Sequence, residues 1–379
     1  MTHLAVAGAG IGGLAAALSL ARVGLRVSLF ERRPALAEFG AGLQLSPNAT
    51  RVLSRLRLLE AVRAVALEPR SVRVRRSRDG AELIRFPLGD HAVVRYGAPF
   101  LLVLRRDLQR VLAEHASVEP AIRLVFGADV AGTSAKGVAL AGQGEPFACD
   151  GFVDARGIAT AAARDSGRIA WRALVPSARL GTTHRAPDTN LWLGPRTHLV
   201  HYPVPGGTHV NVVAITQASA ATPSRSDDPW SRPGDPAALR HAFAGWHTEA
   251  LQLLDPTAEW RCWRLRDAAP RARWSEGNMT VLGDAAHPML PFLAQGASQA
   301  IEDAGSLAVC LAEGVSVVPA FAAYEHQRRD KAARVQQQSR RQGDIYHLGR
   351  PAADARDLAM RLLGGSRALA RLDWLYGGS

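Results

Sequence analysis

Lysine is nearly absent from this chain. Of its 379 residues only Lys136 and Lys331 are lysine, so arginine makes up the rest of the 46 basic residues, against 34 acidic ones and a formal net charge of +12. Such an excess raises the prospect of a nucleic-acid surface. The arginines are scattered, however, and no patch interleaves them with aromatics, so the expectation is a solvated surface that attracts anionic ligands, with no nucleic-acid partner. Cysteine is scarce as well. Cys149, Cys262 and Cys310 stand far apart and fit neither a disulfide framework nor a zinc pattern, which predicts reduced thiols in a cytoplasmic protein and no metal site. The apolar run from Leu4 to Ala21 is about as long as a membrane helix and contains Gly8-x-x-x-Gly12. No Lys or Arg precedes it, as a signal peptide would require, and it divides into a short strand, a glycine turn and a helix. No membrane association is expected. There is no internal repeat and no low-complexity linker. The remainder, 47% hydrophobic and 21% charged, is that of a soluble globular protein of about two domains.

The stretch LAVAGAGIGGLAAALSLARVGLRVSLFERR holds Gly8, Gly10 and Gly13 in G-x-G-x-x-G register between a strand at Leu4 to Ala7 and a helix through Leu14 to Arg22. Gly8 allows the tight turn, Gly10 lets backbone approach a pyrophosphate, and Gly13 lets the helix pack on the strand. The phosphates then rest on the helix start, where free N–H groups and the helix dipole favour anions. A second strand ends at Glu31, close to the ~20-residue spacing of a ribose-binding acid. A Glu there favours a free 2′-hydroxyl, as in FAD or NAD, without distinguishing the two.

A second stretch, GDAAHPMLPFLAQGASQAIEDA from Gly283, crowds an acid, a histidine and two prolines between the strand Met279 to Leu282 and a helix predicted over Ala294 to Ala312. Asp284 stands at a strand's carboxyl end, where open α/β sheets bind ligands, and a carboxylate there can accept hydrogen bonds from a polyol. Gly296, Ala297 and Ser298 offer free amides at the helix start, which stabilise a ring that becomes anionic on reduction. His287 reads as a structural hydrogen-bonder.

With these motifs in order, the chain resembles the FAD-dependent, single-component aromatic hydroxylases, the family of p-hydroxybenzoate, salicylate and 6-hydroxynicotinate hydroxylases. GDAAHPMLPFLAQG is similar to their G-D motif. GAGLQLSPNATRVLSRLRL, from Gly40, and LRRDLQRVL, from Leu104, match further blocks, and the likeness runs from residue 2 to about 330. It implies that Asp284 meets the flavin's ribityl chain, that Pro291 lies beside the isoalloxazine ring, and that Arg105 touches FAD. Arg32 and Gln44 join the expected cofactor set of Gly8, Gly10, Gly13, Glu31, Asp284, Gly296, Ala297 and Ser298. One block departs from the family. In FVDARGIATAAAR, Arg156 replaces the usual acid before Gly157, and Thr160 stands where a serine is usual. Arg156 is expected to swing to solvent or to bind an anion, since two guanidiniums close to Arg105 would repel.

The expected fold is α/β: a discontinuous, Rossmann-like FAD-binding domain (1–70, 98–165 and 270–325), an α+β substrate part with a mostly antiparallel sheet (71–97 and 166–269), and C-terminal helices (326–379). Ser71 to Leu88 reads as a hairpin turning at Asp79-Gly80. Extended runs between Ala170 and Ile215, with a turn at Pro205-Gly206-Gly207, supply the rest of the sheet, flanked by a helix over Ala237 to Leu254. Helices are expected over Ala320 to Gly349 and Ala353 to Leu375. Alternation in THLVHYPVPGG puts His198, Val200 and Tyr202 on one face. The resemblance gives a His and a Tyr four apart a catalytic role there: His198 as base for a phenolic proton, Tyr202 as orienting hydrogen-bonder, Pro291 at the flavin. The implied activity is monooxygenation of a small hydroxylated aromatic or heteroaromatic compound through a flavin C4a-hydroperoxide, with NADH or NADPH and O2 as co-substrates, in a monomer or homodimer. A flavoenzyme of another reaction type and a non-catalytic flavin sensor are the alternatives.

Overall fold

The structure, a computed structural model, describes residues 1–36, 42–134, 137–142, 145–158, 163–218 and 232–377. Gly40 and Thr160 lie outside the described residues.

The apolar run near the start forms the middle of a six-stranded sheet. Its order is Ser275–Glu276, Met279–Val281, Gly151–Asp154, His3–Ala7, Arg26–Glu31 and Ile122–Phe126. All neighbours are parallel except the first pair. Parallel strands covered on both faces read as unbroken apolar runs, and alternation then sorts the side chains. Leu4, Val6, Val27 and Leu29 meet the helices Ile11–Arg22, Arg105–Val118 and Gly296–Leu311 through Leu14, Leu108 and Ile301. Ala5, Ala7, Phe30 and Phe152 meet a small hairpin through Val130 and Val138.

A seven-stranded sheet stands beyond it, ordered Arg261–Asp267, Arg164–Pro176, His209–Gln217, Thr197–Pro203, Asp188–Gly194, Ser71–Arg76 and Glu82–Pro87. It is antiparallel but for the pairing of Asp188–Gly194 with Ser71–Arg76. Trp171, Val175, Trp192, Leu199 and Val212 pack one face against Leu239, Phe243 and Leu253. Each such burial stabilises by about 1.5–3 kcal/mol. The opposite face is left for the cavity described below. The hairpins at Asp79-Gly80 and Pro205-Gly206-Gly207 form where expected.

Three helical expectations are corrected. The span Ala237 to Leu254 divides into Pro236–Ala242 and Thr248–Gln252, because Gly245 takes a left-handed φ of 78° between them. The last span divides into Ala352–Leu363, Gly365–Ala370 and Asp373–Tyr376. The helix before it runs Val317–Tyr346 rather than from Ala320 to Gly349. This long helix joins the two halves: Phe321 and Tyr324 sit in the core of the first sheet, whereas Tyr346 packs on the second.

Candidate active site

A cavity of about 1250 Å3 runs between the sheets, more than the ~300–1,000 Å3 of an ordinary small-molecule pocket. Every sequence-predicted site residue lines it except Gly13 and Ser298.

At one end the glycine turn opens the first helix onto the cavity. Gly8 has φ 101°, and a Cβ on it would stand 2.7 Å from the Ala155 carbonyl oxygen. A Cβ on Gly13 would fall 1.9 Å from the Gly8 oxygen, so Gly13 acts behind the turn, in packing. Gly10, the helix N-cap, has nothing within 4 Å of its Cβ position. The Glu31 carboxylate accepts from the backbone N–H of Ala9 at 2.9 Å and of Arg33 at 3.0 Å. Gln109 Nε2 donates to the Ala9 oxygen at 2.7 Å, which ties the turn to the helix that Arg105 begins. Arg32 lines the cavity beside Glu31. Arg156 is exposed and folds onto the carboxylate of Asp154, Nε at 3.0 Å and Nη2 at 2.8 Å, while Nη1 donates to the Val130 oxygen at 2.6 Å. Asp284 and Arg33 act on the charge of Arg105, which in turn acts on Arg172.

In the middle, burial pulls the Arg105 guanidinium below its ordinary value, with Asp284 acting the other way. Gln44 Nε2 lies 3.5 Å from Thr189 Oγ1 at the cavity wall. Pro291 opens a 3-10 turn, Pro291–Leu293, and Ala294 follows at a left-handed φ of 52°. The helix Gly296–Leu311 then starts with no side-chain cap, leaving its first amides to the cavity at Gly296 and Ala297. Ser298 faces away, its hydroxyl 3.2 Å from that of Ser46. Behind the loop lies a closed cluster of charge. Asp303, fully buried, accepts from the Gly283 amide at 3.1 Å, His287 Nε2 at 2.5 Å and Arg328 Nε at 2.8 Å. Although burial alone would raise it, His287 and Arg328 hold this carboxyl down to about 2. Glu302 meets Arg328 at 2.7 Å and Lys331 at 2.5 Å. His287 is thus the structural hydrogen-bonder that its sequence context implied.

At the far end His198, Val200 and Tyr202 point from Thr197–Pro203 into the cavity, with Val213 and Ile215 from the next strand. His198 Nδ1 lies 2.8 Å from Nε2 of His347, the C-cap of the long helix. Burial first, then His347 and Arg168, push the His198 imidazole well below its ordinary range, so it is neutral at neutral pH. Burial keeps Tyr202 protonated well above the phenol range, which makes its hydroxyl a donor. Gly42 passes directly over that hydroxyl, its amide bonded to Asn211 at 3.1 Å.

Two residues here were not foreseen. Arg172, half-buried beside Tyr202, shares the cavity face; loss of solvent around the guanidinium brings it down to about 10, still charged at neutral pH, and it lies 5.1 Å from the Trp263 ring centroid. Its signal was a lone arginine in the apolar run AWRALVP, out of phase with Trp171, Ala173 and Val175. His347 has no local signal, because a helix more than a hundred residues downstream brings it to His198.

The cradle fits a flavin dinucleotide on its own geometry: an open helix start with a Glu at the adjoining strand end, space along Arg105 and Asp284 for a polyol, and uncapped amides where a ring would lie. A cavity that still leaves a walled chamber beyond that ring is what an FAD-dependent oxygenase requires. A family described as FAD binding domain matches residues 1–339, and the chain belongs to it as an FAD-dependent monooxygenase. It is 37% identical to a 3-amino-4-hydroxybenzoate 2-monooxygenase of Streptomyces platensis, covering 100% of this chain and 98% of that one. It is 32% identical to a 3-hydroxybenzoate 6-hydroxylase of Klebsiella oxytoca, covering 98% and 96%. A solved salicylate hydroxylase in complex with its substrate superposes with a TM-score of 0.83 at 26% identity, covering 100% and 96%. Among the described residues no helix is long and apolar enough to cross a membrane.

Proposed function

We propose that this enzyme hydroxylates a hydroxylated aromatic or heteroaromatic monocarboxylic acid, using NAD(P)H and O2. The observation that carries the reading is one sheet face that presents a neutral His198, a protonated Tyr202 and a charged Arg172 to the same chamber. The three relatives named above act on 3-amino-4-hydroxybenzoate, 3-hydroxybenzoate and salicylate, which share a carboxylate and a ring hydroxyl.

Bound FAD supplies electron transfer from the nicotinamide and the activation of oxygen. The cofactor residues are those of the sequence reading: the turn Gly8, Gly10 and Gly13 for the pyrophosphate, Glu31 with Arg32 for the adenosine half, Arg105 and Asp284 for the polyol. Gln44, Pro291 and the helix start at Gly296 and Ala297 frame the ring, with Ser298 behind them. His198 takes the substrate's hydroxyl proton, which makes the ring electron-rich. Tyr202 donates to the resulting oxygen. Arg172, facing the chamber beside Tyr202, pairs with the carboxylate through the planar fork that suits a guanidinium to that group. Val200, Val213, Ile215 and Phe292 exclude water, which protects the oxidant from wasteful collapse to H2O2. The cofactor part comprises 1–70, 98–165 and 270–325, the substrate part 71–97 and 166–269, and a helical segment 326–379. The site of action is the cytoplasm, where NAD(P)H is supplied and isolated thiols such as Cys149, Cys262 and Cys310 stay reduced.

The test is stopped-flow bleaching of the FAD-loaded protein by NADH and by NADPH with 3-amino-4-hydroxybenzoate, 3-hydroxybenzoate, salicylate and 6-hydroxynicotinate. One acid should accelerate bleaching and yield a product heavier by one oxygen. Bleaching indifferent to every acid, with no oxygenated product, would reject the reading.

A further inference from the structure

The bond between His198 and His347 joins two cavities. His198 lines the chamber and is 3% exposed. His347 lines a separate hollow of about 480 Å3 on the outer surface, with Ser166, Arg168, Arg196 and Asp344 around it. The imidazoles are 2.8 Å apart, their ring centroids 5.0 Å apart, and Phe292 and Tyr346 close edge-on around His198. A buried ring nitrogen that needed only a hydrogen bond would be served by any carbonyl. Here the partner is a second titratable ring, and that ring touches the outside.

We propose that His347 is the proton relay of His198, carrying the substrate's hydroxyl proton through the wall of the chamber to water in the outer hollow. The proposal rests on the reading of His198 as the base. His198 Nε2 receives the proton as its Nδ1 proton passes to His347 Nε2, and His347 gives its Nδ1 proton to water. No electron moves, and the net change is one proton transferred from substrate to solvent. When the product takes a proton back, the same steps run in reverse and restore both tautomers.

The surrounding charges suit transit rather than storage. Burial and then Arg168 hold His347 down to about 4, with Asp344 opposing, so an imidazolium does not persist there at neutral pH. Arg168 is itself tied to Asp344 at 2.6 Å, on the wall of the hollow. Arg196 stands in the same wall, its backbone N–H bonded to the His347 oxygen at 3.0 Å, and Tyr346 is the remaining titratable neighbour.

The experiment mixes oxidised, FAD-loaded protein with 3-amino-4-hydroxybenzoate, without reductant. It follows ionisation of the bound phenol by its ultraviolet shift and proton release by an indicator dye. His347→Ala should slow both by at least about tenfold, and added imidazole, which can enter the outer hollow, should restore them. His347→Gln, which keeps a hydrogen bond but cannot shuttle a proton, should remain slow. Wild-type rates in His347→Ala, or full recovery in His347→Gln, would overturn the relay and leave a positioning role. His198→Gln separates the two claims. If it slows ionisation while His347→Ala does not, the relay alone is wrong; if it too ionises the phenol at the wild-type rate, the reading of His198 as base falls and the relay with it. Undiminished flavin binding in each variant excludes misfolding as the cause.

Discussion

His287 and His198 are both buried, and each has one ring nitrogen committed to another titratable side chain. Their settings differ in where the remaining polar atoms can go. His287 meets Asp303, which is already closed by Arg328 and the Gly283 amide, and it does not border the cavity. His198 meets a second imidazole and borders the chamber. A buried charge satisfied from every side holds structure together, whereas a buried base that faces an empty volume is available for chemistry. The comparison teaches that burial beside another titratable group does not mark a catalytic residue by itself; a shared boundary with space for substrate does.

The largest test of this contrast is on the structural side. Asp303→Ala leaves Arg328 and His287 without their carboxylate and should cost about 3–5 kcal/mol in urea unfolding. A midpoint near wild type would show that the loop does not depend on the cluster. On the chemical side, His198→Ala should lower oxygenation by about 10²-fold or more and raise the fraction of NAD(P)H lost to H2O2. Unchanged rate and coupling would remove His198 from the mechanism.

Acid separates the clusters more finely. His347 is neutral in the fold, and its value is lowered from 6.5 to about 4. The unfolded chain therefore takes up the proton first as pH falls below 6.5, and that share of stability is lost between 6.5 and 4. Asp303 is lowered from 3.8 to about 2. Its share, about 2 kcal/mol, is present above pH 4 and is lost as pH falls through 2. His198 and His201, also held below the ordinary imidazole range by burial, add to the first fall, so His347→Gln should make the loss of stability below pH 6.5 shallower without abolishing it. Asp303→Asn should likewise make the fall towards pH 2 shallower, and an unchanged pH profile in either variant would remove that group from the account. The smallest expected effect is at Arg172. Arg172→Met should raise KM about tenfold for a carboxylated substrate, roughly one charge-assisted bond, and leave KM for the corresponding phenol lacking the acid nearly unchanged.

How far the sequence could be read follows from how local each feature is. The turn at Gly8 to Gly13 and the acid at Glu31 belong to one strand–helix–strand unit, so spacing alone was enough. For His198 and Tyr202 the two-residue period of a strand gave a shared face, and the family resemblance gave that face its role at the cavity. Arg172 needed more: its strand is the sheet neighbour of His209–Gln217, and nothing local to AWRALVP says that its second face is wet rather than core. His347 depends on where a 30-residue helix ends in space, which no window of sequence contains. Arg156 was legible in part: its exposure follows from the expected avoidance of Arg105, but its pairing with Asp154, two residues earlier at the strand end, depends on the turn geometry. The helix expected over Ala237 to Leu254 is interrupted at Gly245, whose left-handed φ of 78° no helix accommodates.

The helix Val317–Tyr346 carries Arg328 more than a third of the way along and delivers His347 at its end, roughly 28 Å further along its axis at 1.5 Å per residue. It therefore acts as a ruler between the flavin loop and the substrate chamber. Inserting one residue between those points would advance the distal ring by about 1.5 Å and rotate it by about 100°, parting it from His198 while every contact upstream stayed as it was. The spacing along this rod is a constraint on the enzyme's lineage: substitutions on its outer side are tolerable, but a change in its length is not.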